Sequence, residues 1–193
     1  MRIPILLVVL IISLPPAVLC QQRPLVTESV RTVGDDRLMF DIGMEFLQDA
    51  KFPFSGLEGD LTRVGVIGFR TGVGENVEIQ LLGTVQNILN VENRFAAPNT
   101  PQLNFSGIST SDVGNLTMAT KVRLKKETAY VPALGFRFGA QLPNTSNENG
   151  LGTDETNVFS GILLEKQFGK LRVLANFGLI ILGDPVSAGS QDD

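Results

Sequence analysis

Leu38-Met39-Phe40-Asp41-Ile42-Gly43-Met44-Glu45-Phe46 sets a large apolar side chain at every even position and Asp41, Gly43 and Glu45 among the odd ones. Successive side chains of a strand leave opposite faces, so this segment reads as a β-strand with one apolar face. The same period recurs downstream. Val77, Ile79, Leu81 and Val85 alternate with Glu78, Gln80, Thr84 and Gln86, and Leu116, Met118, Val122 and Leu124 alternate with Thr117, Lys121, Arg123 and Lys125. Pro132, Leu134, Phe136, Phe138, Ala140 and Leu142 continue the pattern, as do Leu171, Val173, Ala175, Phe177, Leu179 and Ile181. Two less regular runs, Leu61 to Arg70 and Thr156 to Lys166, each sit one short turn from a clear strand and should pair with it as a hairpin. Apolar residues do not recur at i, i+3, i+4 and Gly interrupts most candidate segments, so no helix is expected in the mature chain. The fold class expected is all-β, with about seven antiparallel strands.

The connections between those strands alternate in length. Residues 71–75, 126–130 and 167–170 are short, whereas 48–60, 87–112 and 143–155 are longer and rich in Asn, Thr, Ser, Gly and Pro. Outer-membrane barrels have short periplasmic turns on one rim and long external loops on the other, joined by strands of about 9 to 11 residues. The expected architecture is therefore an up-and-down transmembrane β-barrel. A soluble sandwich, with its apolar face turned inward, is the alternative.

In the barrel reading Leu38, Phe40, Ile42, Leu134, Phe136, Phe138, Val173 and Phe177 face lipid. The opposite parity then lines a lumen: Asp41, Glu45, Glu78, Gln80, Lys121, Arg123, Arg137, Gln141, Arg172 and Asn176 are the candidate pore-lining residues. Acids fall on the first and third strands and bases on the fourth, fifth and seventh. This asymmetry suggests a transverse field that sets ion preference in a conducting barrel, or else a lumen plugged by salt bridges.

Composition narrows the function classes. The 193 residues include no His, which removes the commonest general base and with it Ser-His-Asp triads, Cys-His pairs and His-built zinc sites. Lys and Arg total 16 against 20 Asp and Glu, so the basic footprint of a nucleic-acid binder is missing. No catalytic residue, metal or cofactor is expected. Met1-Arg2, the aliphatic run from Ile3 to Leu14, Pro15-Pro16 and Ala17-Val18-Leu19-Cys20 read as a secretory signal peptide over residues 1–20. Its apolar run falls short of the roughly 20 residues of a spanning helix. Cleavage after Cys20 would leave a mature chain without Cys, which points to a bacterial envelope rather than a disulfide-built secreted scaffold. Acylation of Cys20 is the lesser alternative, because Leu19 is large where that signal wants a small residue.

Asp112-Val113-Gly114-Asn115-Leu116-Thr117, Thr120-Lys121-Val122-Arg123-Leu124, Pro132-Ala133-Leu134, Leu142-Pro143-Asn144 and Gly150-Leu151-Gly152-Thr153-Asp154 together resemble an outer-membrane transporter family associated with the meta-pathway of phenol degradation. Ala175-Asn176-Phe177-Gly178-Leu179 and Leu182-Gly183-Asp184-Pro185 fit the same family, so the resemblance covers roughly residues 35–185. It implies a barrel that carries small aromatic or apolar molecules across the outer membrane and brings no catalytic residues. The chain departs from the family at its end, where Gln191-Asp192-Asp193 replaces further strands and the usual terminal aromatic.

The expected organisation is a signal peptide over 1–20, a periplasmic lead over 21–34, barrel strands and loops over 35–185, and a polar tail over 186–193 that belongs to an external loop. Seven strands starting in the periplasm do not make the even number of a closed bacterial barrel, so the sequence is expected to cover an incomplete one. Further strands, or a second copy paired through open edges, would complete it. Expected partners are outer-membrane lipid, the barrel-assembly machinery and a small-molecule solute, with no nucleic acid. A structural or adhesive barrel without transport is the alternative function, favoured by the long Asn/Thr/Ser-rich loops. Gly72-Val73-Gly74 reads as a turn rather than a dinucleotide loop, and the sequons at Asn104, Asn115 and Asn144 carry no meaning in a bacterial envelope. Asp35-Asp36 and Asp154-Glu155 offer too few oxygens for a specific calcium site.

Overall fold

A computed structural model describes residues 27–183; the expected signal peptide, the first part of the lead and the polar tail lie outside the described residues. The chain forms β1 (Leu38–Phe52), β2 (Leu57–Val73), β3 (Val77–Arg94), β4 (Ser109–Asp112), β5 (Leu116–Lys125), β6 (Ala133–Leu142), β7 (Asn157–Phe168) and β8 (Leu171–Ile181), with one 3-10 turn at Thr100–Gln102. All pairings are antiparallel, in the order β1-β2-β3-β5-β6-β7-β8, and β4 adds to β3. The sheet curls into a half-barrel. Its edges are β1 and β8, which do not pair with each other among the described residues.

The first strands are longer than their sequence suggests. Residues 48–60 were expected as an external loop, but β1 runs to Phe52 and β2 starts at Leu57, leaving only a tight turn. The expected loop 87–112 likewise begins with the continuation of β3 to Arg94 and ends with β4 folded back on Asn87–Asn90. Asp49, Lys51, Pro53, Ser55 and Gly56 have loop composition, yet backbone pairing of Ala50, Lys51 and Phe52 with Gly59, Glu58 and Leu57 outweighs it. The third long connection, after Leu142, is a loop as expected.

Gly65 explains the irregular look of β2. It takes φ of +65° and is skipped in the register, which passes from Gly43↔Val66 to Met44↔Val64. A Cβ at Gly65 would lie 2.8 Å from Val85 Cγ2, and an L residue would be strained at this φ. The extra residue shifts the parity of β2. Leu57, Gly59 and Leu61 are buried on one side of the bulge, and Gly68 and Arg70 on the other. β3 shifts with it, burying Glu78 and Gln80 early and Leu89 late.

The two faces have opposite chemistry. Leu38, Phe40, Ile42, Met44 and Phe46 of β1 are 56–73% exposed on the convex face, joined by Ile79, Met118, Phe138, Ile162 and Phe177. The concave face buries Arg70, Glu78, Gln80, Lys121 and Glu165. Beyond Phe46 this order inverts. Leu57, Leu61 and Leu89 form an apolar core at the outer end of the concave face, covered by Phe52, Leu103, Phe105 and Leu151, and leave Glu58 and Asp60 on the other parity.

Candidate functional site

The concave face gathers side chains of one parity from neighbouring strands into two charged centres. Glu78 and Lys121 are partners in the β3–β5 register, and Lys121 and Arg137 in the β5–β6 register, so alternation alone brings all three to one face. Lys121 Nζ lies 3.0 Å from both Glu78 Oε1 and Glu28 Oε1. Gln80 Nε2 donates to Glu78 Oε1 at 2.7 Å, and Arg137 Nε donates to Gln80 Oε1 at 2.9 Å. The Arg137 guanidinium also stacks over Phe159 at 4.8 Å. In the second centre Glu165 Oε1 lies 2.9 Å from Arg31 Nε and 2.9 Å from Arg172 Nε. Glu165 Oε2 accepts from Ser29 Oγ at 2.6 Å and from the Val30 N–H at 3.2 Å. Burying a charge is costly unless it is paired and hydrogen-bonded, and both centres meet that condition.

Residues 28–34 supply much of the pairing. They cross the concave face, Val30 being fully buried against Ala133 and Leu163, and Val33 N–H donates to Glu78 Oε2 at 2.8 Å. Gly72 leaves room for this crossing, since a Cβ there would stand 1.7 Å from Gly34 O. With its amide oriented to satisfy both neighbours, Asn176 brackets the Glu28 backbone, accepting from its N–H at 2.7 Å and donating to its C=O at 3.1 Å. The described part of the expected periplasmic lead is therefore a strap seated inside the half-barrel. No periodic signal marks it.

Of the expected lining residues, Glu78, Gln80, Lys121, Arg137, Arg172 and Asn176 meet around this strap. Asp41 pairs instead with Arg70, and Glu45 with Arg63 at 3.1 Å. Arg123 sits at the short-turn rim, donating to Asn76 Oδ1 at 3.1 Å and Glu75 O at 2.7 Å. Gln141 lies toward the loop end and accepts from Asn157 at 3.1 Å. Asp41, Glu45, Glu78, Lys121 and Arg172 are each held in contacting ion pairs. Arg70, Glu165, Glu28 and Ser29 were not anticipated. Glu165 shares the parity of buried Leu163, which was a usable signal, while Arg70 was hidden by the shift at Gly65.

Two cavities adjoin the strap. One of about 380 Å³ lies between residues 28–39 and the charged floor. The other, of about 460 Å³, is lined by Leu82, Phe159, Leu163 and Ile180 with Arg137 and Asn176.

Both ends of the sheet are fixed by hydrogen-bonded acids. At the short-turn rim, a hydrogen bond from Lys126 and its charge hold Glu75 below the ordinary carboxylate range, and the Gln167 N–H does so for Glu127. At the loop end burial pushes Asp112 up, but hydrogen bonds from Asn149, Ser146 and Val113 outweigh it and leave the group lowered. Asp154 is raised by burial, with Glu148 and Asp112 adding to it. Asp35 is used by a turn, accepting from the Gly74 N–H at 2.9 Å, and no three acidic side chains converge as a metal site among the described residues. Set beside family models, curated proteins and solved structures, the chain matches none of them.

Proposed function

We propose that the chain spans a bacterial outer membrane as part of a β-barrel that admits small aromatic or apolar molecules. The observation that carries this reading is the apolar band on the convex face. From Leu38 to Phe46 it runs about 26 Å along the strand at roughly 3.3 Å per residue, which at the roughly 35–45° tilt of barrel strands is about 20 Å of height, most of the roughly 25 Å apolar band of an outer-membrane barrel. In water such a face would be a large exposed patch; against lipid it is the expected surface. Beyond it the convex parity turns polar at Lys51, Glu58 and Asp60, as a strand emerging from a bilayer requires. The 460 Å³ cavity, walled by Phe159, Leu82, Leu163 and Ile180, supports a solute with apolar surface.

A structural or adhesive barrel is the second reading, favoured by the strap and ion pairs that occupy the interior. Single-channel recording of the refolded full chain in planar bilayers separates the two. Discrete conductance steps, together with uptake of small aromatic compounds by cells carrying the gene, support transport. A protein that inserts into vesicles yet never conducts supports the structural reading, and one that stays out of vesicles overturns both.

A further inference from the structure

Among the cations that line the cleft beside the strap, Arg37 is the one outside the ion pairs seen among the described residues. The 380 Å³ cleft beside the strap is lined by Arg31, Arg37, Arg70, Lys121 and Arg172. Glu28 and Glu78 answer Lys121, Asp41 answers Arg70, and Glu165 is shared between Arg31 and Arg172. Arg37 makes no ion pair among the described residues, and its main-chain carbonyl only accepts from the Gly72 N–H. Arg70 supplies an independent sign. Its side chain is 1% exposed, yet its Nε has no hydrogen-bond partner. A buried donor without an acceptor is rare and costly, and Asp41, the charged partner of Arg70 among the described residues, is half exposed to solvent.

We infer that this cleft binds small monocarboxylates, with the carboxylate facing Arg37 and Arg70 and the hydrocarbon part against Val33 and Met39. A carboxylate gives the Arg70 donor an acceptor and Arg37 a counter-charge. Guanidinium groups suit carboxylates in charge and geometry. The volume lies in the lower part of the range for small-molecule sites. Binding needs only the folded concave face and is independent of whether the barrel conducts.

Calorimetry on the refolded full chain tests the site with hexanoate, its neutral analogue hexanamide, and inorganic phosphate. Hexanoate should bind at least about tenfold more tightly than hexanamide, and Arg37→Gln, at an exposed side chain outside every ion pair, should weaken hexanoate about tenfold. The Arg70 Nε–H resonance of the ¹⁵N-arginine-labelled protein should move on addition of hexanoate. Equal binding of hexanoate and hexanamide, an unaffected Arg37→Gln variant or an unmoved Arg70 signal overturns the site. Preference for phosphate overturns the assignment to monocarboxylates. Binding of hexanoate by a protein silent in planar bilayers upholds the site while sinking the channel reading.

Discussion

At the outer end of the concave face Leu57, Leu61 and Leu89 exclude water with a small apolar core, whereas toward the short turns the same face is filled by Glu78, Lys121, Glu165 and the strap. The convex face changes in the opposite sense, from Phe40 and Ile42 to Lys51 and Glu58. The contents of the interior thus follow what the exterior meets. Where the outside is apolar, the inside is polar and must neutralise itself by pairing. Where the outside is polar, the inside packs like the core of a soluble protein. In β2 Gly65 stands between the two regimes, and in β1 a second register shift between Leu47 and Ala50 does so.

The strongest way to break this contrast is Lys121→Met, which leaves the buried Glu78 without its cation. It should cost about 3–5 kcal/mol in urea unfolding of the refolded protein, and adding Glu78→Gln should recover part of the loss. A single-variant cost near zero would mean that the polar interior is wet. In the apolar core, Leu57→Ala should cost about 2–5 kcal/mol, with hydrogen exchange rising first around Leu103 and Leu151. On the convex face, with the proposed membrane setting, Ile42→Arg should cost about 2–4 kcal/mol of stability in vesicles, whereas Asp60→Arg should be nearly neutral. Equal penalties would remove the boundary between the regimes. Gly65→Ala, which needs a left-handed backbone and room beside Val85, should cost about 1–2 kcal/mol, read as a lower urea midpoint.

The smallest effects lie in the loop after Leu142. Asp112 titrates below the ordinary aspartate value, so it stabilises the loop near neutrality and that contribution fades as pH falls through its lowered pKa. Asp154 titrates above it, so its penalty grows as pH rises through the raised value. Proteolytic nicking of the loop at neutral pH should therefore increase in Asp112→Asn, which weakens three hydrogen-bond acceptances, and decrease in Asp154→Asn. The reverse order would refute the assignment of opposite signs.

Strands β5, β6 and β8 were legible because their alternation is unbroken, and the grouping of Glu78, Lys121 and Arg137 followed from parity alone. The outer halves of β1 to β3 were not. Their turn-forming residues imitate a loop, and their pairing depends on neighbours rather than on local preference. Arg70 stayed hidden because a parity shift cannot be read from a run that also contains Gly68 and Gly72. Glu28, Ser29 and Val30 carry no period at all, and their roles come from partners far along the chain.

That separation has a consequence for assembly. The hydrogen bond from Ser29 to Glu165 spans 136 positions, and Arg172 donates to the same serine across 143. Closing so long a loop is slow and must be compensated by contacts that exist only after the intervening strands are in place. Residues 28–31 are made first and can settle only when β7 and β8 have arrived. A sheet stalled short of β7 gives Val30 no pocket and Ser29 no acceptor, so the segment that is made first is among the last to find its place.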